Sequence, residues 1–456
     1  MIVMKFGGTS VESAAAIERV ASIVKARVHR RPIVVVSAMG KTTNKLLALA
    51  SCAITGKRED YIRQLHDLRD FHSREARLVV PLSHRAELDR TLDDHFQEMT
   101  ELVKGLAILG ELTPRSIDAI SSYGERLSSY IVSLAFEHFG LHAAHLDSRR
   151  VIVTDRRHTQ AAPLFPETYA RLAATLPPLA REKVVVMGGF IGSTEDGVTS
   201  TLGRGGSDFT AAIVGAGVSA EEIQIWTDVD GMLTADPTIF PGGHRVKTIS
   251  FAEAAELAYF GAKVLHPATV IPAIERNIPV FILNSRRPEI PGTVIVSEAV
   301  PCRNVVKSIA CKRRITLVNV HSSRMFMAHG FLRRIFEVFD RYETPVDMIA
   351  TSEVSVSLTI DNTARLDRIA KDLSEFSEVS TEPDQSIVCL VGENIRYTPG
   401  VASRVFKALE SVNIRMISQG ASLLNLGIIV AEKDLRTAVG ALHNEFFHDL
   451  DPEVFE

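Results

Sequence analysis

The ten residues MIVMKFGGTS at the start of the chain constrain its fold more than any other stretch. Ile2 to Met4 form a short apolar run, Lys5 follows at once, and Gly7-Gly8 break the strand pattern. Thr9-x-x-Glu12 has capping-box spacing, which predicts a helix running from Ser10 to about His29, with Ile17, Val20, Ile23, Val24 and Val28 at helical intervals. A strand, a glycine turn and a helix N-terminus form an anion site, because the first helical amides point outward unpaired. A lysine beside the turn adds a positive charge to those donors. Read alone, Lys-x-Gly-Gly is also ordinary turn chemistry. The phosphate-site reading therefore needs support from the rest of the chain.

At 456 residues and 46% hydrophobic, the chain is long enough for two or three buried domains. Lys plus Arg total 51 against 55 acidic residues, and the net charge of -4 argues against a nucleic-acid or polyanion partner. No apolar run approaches the ~18 residues that span a bilayer, and Lys5 with Gly7-Gly8 interrupts any signal-peptide core. Cys52, Cys302, Cys311 and Cys389 are scattered, without a CxxC pair, and the histidines include no HExxH. A soluble cytoplasmic protein without a protein-held metal is expected.

Ile33 to Val36 is an apolar run that suits a strand buried on both faces. It leads into Ser37-Ala38-Met39-Gly40-Lys41-Thr42-Thr43-Asn44. The GKTT in this loop is not a Walker A motif, because Val35 stands where its first glycine is required. What remains is a loop of small hydroxyl residues at a strand's carboxyl end, where open α/β sheets bind ligands. Residues 58 to 104 are charged, periodic and poor in glycine, and predict a solvated helical insertion. Ser121 to Ser128 (SSYGERLS) starts a helix to about His138, on which Glu125 and Arg126 point about 100° apart. KVVVM (183–187) predicts a strand, and Asp196-Gly197 a hairpin turn. TLGRGGSD (201–208) then opens another helix, its glycines allowing close approach of an anion. It is not a dinucleotide fingerprint, since Asp208 occupies the third glycine's position. EIQIWT (222–227) predicts a strand ending in Thr227-Asp228-Val229-Asp230-Gly231, suited to a nucleotide site or to a plain turn. Ser250-x-x-Glu253 is a second capping box, and Gly261 to Pro267 places Lys263 near a glycine turn.

The last third holds an internal repeat. Residues 330–360 align without gaps on 400–430, pairing Ile335-Phe336 with Val405-Phe406, Phe339 with Leu409 and Ser352 with Ser422. Each copy predicts a βαββαβ ferredoxin-like unit of about seventy residues, with edges and helix faces free to pair.

KFGGTS, VVVSAMGKTTN, SYGERLS, TLGRGGSDFTAA, WTDVDGMLTADP and FGAKVLHPAT occur here in the order found in the aspartate kinases. Over nearly its whole length the chain resembles the monofunctional type, which has two C-terminal ACT domains and no fused homoserine dehydrogenase. The resemblance implies an α/β amino-acid-kinase sandwich with a mainly parallel sheet over residues 1–295. A linker (296–313) and two ferredoxin-like ACT domains (314–383 and 384–456) would follow. It implies ATP and Mg²⁺ as cofactors and L-aspartate as substrate. Lys5 would act on the transferring phosphoryl group, Asp208 would position the active-site lysines, and Lys263 would stabilise nucleotide phosphate charge. Glu125 would bind the substrate ammonium and Arg204 its α-carboxylate, with Ser37, Thr43 and Ser207 lining the pocket. Gly7, Gly8, Thr227 and Asp228 would face the nucleotide. Thr238 after Pro237, and Leu233 where some members carry Tyr, depart from the family's pattern, so residues 233–238 receive no role.

In the lysine-inhibited members the effector pocket lies between paired ACT domains. This chain has Met325, Phe331, Leu332, Val346, Asp347, Thr351, Ser352 and Glu353 at matching spacing. The resemblance implies lysine as inhibitor, with threonine second, and a homodimer or homotetramer assembled through the ACT domains. Two alternatives stand beside it: an acid kinase of the same fold acting on glutamate or N-acetylglutamate, and a non-catalytic amino-acid sensor.

Overall fold

The computed structural model describes residues 1–261, 267–298, 301–322 and 329–456. The chain divides into two compact units, Met1–Met232 with Val264–Glu298, and Leu233–Lys263 with Ala299–Glu456.

The strands of the first unit are β1 (Ile2–Phe6), β2 (Pro32–Val36), β3 (Ala143–Leu146), β4 (Val153–Thr154), β5 (Val184–Gly188), β6 (Ile191–Thr194), β7 (Thr199–Thr201) and β8 (Glu222–Thr227), followed by Val280–Asn284 and Thr293–Val296. Its helices include α1 (Ala14–Lys25), α2 (Thr42–Ile54), α3 (Arg58–Val79), α4 (Arg85–Leu109), α5 (Pro114–Ser121), α6 (Tyr123–His138), α7 (Phe165–Glu182) and α8 (Gly206–Gly217). In the main sheet the order runs Thr293–Val296, Val280–Asn284, β8, β1, β2, β5, β3. Every pairing from Val280–Asn284 to β3 is parallel, and Thr293–Val296 adds an antiparallel strand. The apolar runs legible in the sequence are the central strands, because a parallel sheet covered by helices buries both faces. β1 is buried at all five positions.

Alternation along β1 sends Ile2, Met4 and Phe6 into the cluster formed by α1 to α6. Val3 and Lys5 therefore face the opposite side, where α8 packs. A smaller sheet pairs β4 with β6 in parallel and β6 with β7 in antiparallel fashion.

Two expectations are corrected here. The Thr9-x-x-Glu12 capping box does not form: Gly8–Ser10 is a 3₁₀ turn, and α1 starts at Ala14 with Ser13 accepting from the Ala16 amide. Leaving β1, the chain first turns tightly, with Gly7 N donating to Trp226 O and Ser10 N to Gly7 O, which delays the helix. The helical insertion, α3 and α4, is also more than a solvated excursion. Leu65, Leu68, Leu92, Phe96 and Met99 are buried in the unit's main core.

In the second unit one antiparallel sheet runs Ile349–Thr351, Ser355–Ile360, Ser308–His321, Glu378–Val391, Asn425–Ala431, Ile414–Gln419. The two 14-residue central strands serve both repeats. Ile315–His321 pairs within the first repeat, and Ser308–Lys312, inside the stretch read as a linker, pairs with Ile387–Val391 of the second. The repeat holds position by position. Gly330 and Gly400 cap their helices with φ of 79° and 85°; Ile335 and Val405 are buried, and Phe336 and Phe406 are exposed.

The Ser250-Glu253 capping box forms as expected on helix Phe251–Tyr259, and it acquires a partner from far along the chain. Lys307 Nζ lies 3.0 Å from Glu253 Oε1, and both side chains are fully buried. Glu253 Oε2 accepts from Ser250 N at 2.9 Å and from Ser250 Oγ at 2.8 Å. Removing one member of such a pair strands a buried charge. Lys307→Met is expected to lower unfolding free energy by about 3–5 kcal/mol, measured by urea denaturation; a change within error would show that the pair is solvated.

Candidate active site

At the carboxyl edge of the parallel strands, the loops after β1, β2 and β5 and the start of α8 enclose a cavity of about 310 Å³. Its lining includes Lys5, Ser37, Thr43, Glu125, Ser207 and Asp208. Gly8 also lines it and is required by close packing, since a Cβ there would stand 2.7 Å from Gly40 O and 2.9 Å from Ala38 O. Gly189 is the second such position. It follows β5 and packs against the start of α8, where a Cβ would stand 2.6 Å from Ser207 Cβ.

Lys5 Nζ lies 2.7 Å from Asp208 Oδ1, with side-chain exposures of 11% and 15%. Asp208 sits in the first turn of α8, where the helix's positive end favours its negative charge. The pair holds an ammonium at the cavity floor that a lone buried lysine could not keep without a large desolvation cost.

Glu125 enters from α6 and is 3% exposed. Its Oε1 accepts from Ala38 N at 3.2 Å, while Oε2 is buried without a hydrogen-bond partner. Burial pushes the carboxyl up to about 8. An unpaired, desolvated carboxyl oxygen in a polar cavity is suited to receive a cationic group. The neighbouring Arg126 turns away as its helical phase requires, reaching Glu98 at 3.1 Å and lying 4.4 Å from the Tyr123 ring centroid.

Arg204 is exposed; its neighbours Gly203 and Gly205 line the cavity. Gly7 precedes the cavity's Gly8 and spends its amide on Trp226 O. Thr227 and Asp228 close the adjacent β8 at the same edge, with Thr227 Oγ1 3.3 Å from Asp228 Oδ1. Asp230 is committed to Asn284 Nδ2 at 2.6 Å and to Arg287. Lys263 and Met325 lie outside the described residues.

In the first repeat Phe331 is buried and Leu332 exposed, while Val346 is half-buried and Thr351, Ser352 and Glu353 are exposed. Asp347 is already paired: Lys312 Nζ lies 2.7 Å from its Oδ1 and 2.8 Å from Asp361 Oδ2. Sequence reasoning had no signal for this partner, 35 positions away. It also missed Phe190, which lines the cavity with φ of 65° and its amide donating to Thr210 Oγ1 at 2.9 Å. Its position after Gly188-Gly189 at the strand end was the available cue.

A parallel α/β unit whose strand ends carry a glycine-edged cavity, lined by one lysine and two carboxylates, places its polar side chains where folds of this class bind ligands. A family model described as amino acid kinase family matches residues 1–284, and one described as ACT domain matches residues 388–446. Aspartokinase 2, chloroplastic, of Arabidopsis thaliana is 38% identical over 99% of this chain and 85% of its own length. Lysine-sensitive aspartokinase 3 of Escherichia coli is 37% identical over 98% and 99%. The crystal structure of E. coli aspartokinase III with aspartate and ADP superposes with a TM-score of 0.82 at 36% identity, covering 98% of this chain and 100% of that one. The lysine and aspartate complex of the same enzyme gives 0.84 at 36% identity, with the same coverage. The chain belongs to the aspartokinases, within the amino acid kinase family.

Glu125 makes a prediction independent of turnover. Its carboxyl holds a proton up to about pH 8 when folded but only to about 4.3 when unfolded. Between those values the native state binds the extra proton, so stability falls as pH rises through that window. Glu125→Gln, which cannot ionise, is expected to gain thermal stability relative to the parent protein between pH 5 and pH 8.5. Parallel melting curves across that range would refute it.

Proposed function

We propose that the cavity above β1 binds L-aspartate beside the phosphates of ATP and that the chain transfers the γ-phosphoryl group to the β-carboxylate. The enzyme is an aspartate kinase, and 4-phospho-L-aspartate, the first intermediate on the route from aspartate to lysine, threonine and methionine, is its product. The observation that carries the substrate reading is the partnerless Glu125 Oε2 beside Lys5 and Ser207. An α-ammonium satisfies it. The amide of N-acetylglutamate carries no charge to offer, which disfavours that alternative.

The nucleophile needs no general base, because a β-carboxylate of pKa near 3.9 is ionised at neutral pH. The chemistry instead requires two anions to be aligned and charge on the phosphoryl oxygens to be offset. Lys5, fixed by Asp208, meets the phosphoryl group in flight, and the exposed Arg204 closes on the α-carboxylate as a two-pronged donor. Ser37, Thr43 and Ser207 line the aspartate side. Gly7, Gly8, Thr227 and Asp228 serve the nucleotide side, with Lys263 assigned there by its motif. Among the described residues no group of three or more His, Cys, Asp or Glu could hold a metal ion. Mg²⁺ is proposed as part of the nucleotide substrate, carried by the phosphates and water as this ion prefers.

Regulation by an amino acid belongs to the same proposal. A relative is named for lysine sensitivity and another structure holds lysine, and lysine is the effector proposed here, with threonine second. Met325, Phe331, Leu332, Val346, Asp347, Thr351, Ser352 and Glu353 would form its pocket in a homodimer or homotetramer. An effector ammonium would share Asp347 with Lys312. Action in the cytoplasm is part of the same proposal; separately, no helix among the described residues is long and apolar enough to cross a membrane.

Hydroxylamine trapping of acyl phosphate tests the activity, with ATP, Mg²⁺ and aspartate, glutamate or N-acetylglutamate. Aspartate-dependent product is expected, and its absence would overturn the reading. Lys5→Ala should lower kcat by at least ~10²; a near-normal kcat would make Lys5 structural. Excess lysine should inhibit the parent enzyme, and Asp347→Ala should weaken that inhibition at least ~10-fold, since it removes a charged hydrogen-bond partner. Full activity in excess lysine would remove lysine as the effector.

A further inference from the structure

Asp118 is a carboxylate without a part in the mechanism above, and it is fully buried on the short helix α5. It draws together two segments distant in sequence. Oδ1 accepts from Thr201 Oγ1 at 2.5 Å and from Thr159 N at 3.0 Å. Oδ2 accepts from Thr159 N at 3.1 Å and from His158 Nδ1 at 2.7 Å. Such convergence on one buried carboxylate fixes the geometry of everything attached to it.

What is attached is the floor of the glycine loop. Thr201 ends β7, and Leu202 N donates to Phe190 O before the chain reaches Gly203 and Arg204. Ala161 N donates to Thr201 O, tying the 158–161 segment to the same strand. Thr159 adopts φ of 70°, which is unfavourable for a β-branched residue, and its amide is the group that Asp118 holds. Gly203 rests directly on this turn, where a Cβ would stand 3.1 Å from Thr159 O. From Asp118 in the other direction, α5 passes through Ser122 straight into α6, which carries Glu125.

We infer that Asp118 is a positioning residue for amino-acid recognition, a buried brace that fixes the loop bearing Arg204 relative to the helix bearing Glu125. The inference rests on the proposed roles of those two residues toward the α-carboxylate and α-ammonium. The brace does not touch substrate. It sets the separation between the two groups that grip the ends of the amino-acid moiety, and leaves Lys5 to its own partner, Asp208. A fault in the brace therefore appears in aspartate binding before it appears in phosphoryl transfer.

Asp118→Asn keeps the volume but turns an acceptor into an amide donor facing three donors. Thr201→Val is the milder test, removing one hydroxyl, and Thr201→Ser restores it. In steady-state kinetics of the full chain, Asp118→Asn is expected to raise KM for aspartate about tenfold and Thr201→Val about threefold, with KM for ATP unchanged and kcat within about twofold. Thr201→Ser should return KM to the parent value. An unchanged aspartate KM in both variants would overturn the inference, as would aspartate KM, ATP KM and kcat all worsening in step with a falling Tm. Arg204→Ala run in parallel separates two kinds of failure. If it alone raises aspartate KM, the brace is wrong and the substrate assignment stands. If it too leaves KM unchanged, the substrate assignment fails and the inference fails with it.

Discussion

The first unit turns on a cation placed inside a parallel sheet. Lys5 is the one charged residue of β1, a strand buried along its length with neighbours on both sides. Such a position is tolerable only if the ammonium emerges at the strand's carboxyl end and finds a counter-charge. Asp208 supplies it at 2.7 Å from the start of α8. That need brings together residues 203 positions apart, and the cavity follows from the meeting of β1, the glycine loop and α8. The lysine is thereby held in one position by its partner, which is the preorganisation that its proposed part in phosphoryl transfer would need.

Around this pair the remaining polar groups divide by what burial does to them. Glu125 carries an oxygen without a partner and a carboxyl raised to about 8, because burial disfavours its charged form. Asp118 is buried more completely, yet both oxygens are occupied by donors from the protein. One carboxyl group keeps an oxygen open and the other has both oxygens occupied. Exposure alone would not separate them; hydrogen-bond satisfaction does.

The second unit shows the same contrast. Glu253 and Lys307 form an ion pair sealed from solvent, whereas Asp347 shares Lys312 with Asp361 at a partly open position. An ammonium shared between two carboxylates near the surface is held more weakly than one sealed in the core, because solvent screens it. The doubled repeat rests on two long central strands that serve both copies, a saving in edges that a pair of separate four-stranded sheets would lack.

Periodicity and turn chemistry made much of this legible in advance. The apolar runs at 2–4, 33–36 and 184–187 pointed to interior strands, since nothing in them alternates, and EIQIWT (222–227) pointed to one more. The Ser250-Glu253 box and the gapless repeat carried their geometry in local spacing. The motifs around Lys5, Glu125 and Asp208 placed the site at strand ends. Tertiary structure decided what spacing cannot encode. The tight turn after β1 cancelled a capping box that the local sequence favours. Packing drew Leu65, Phe96 and their neighbours on the charged insertion into the core. Above all, only the folded chain could bring His158, Thr159 and Thr201 to Asp118, or give Lys312 to Asp347. A carboxylate's role depends on which donors reach it through space, and those donors lie dozens of residues away.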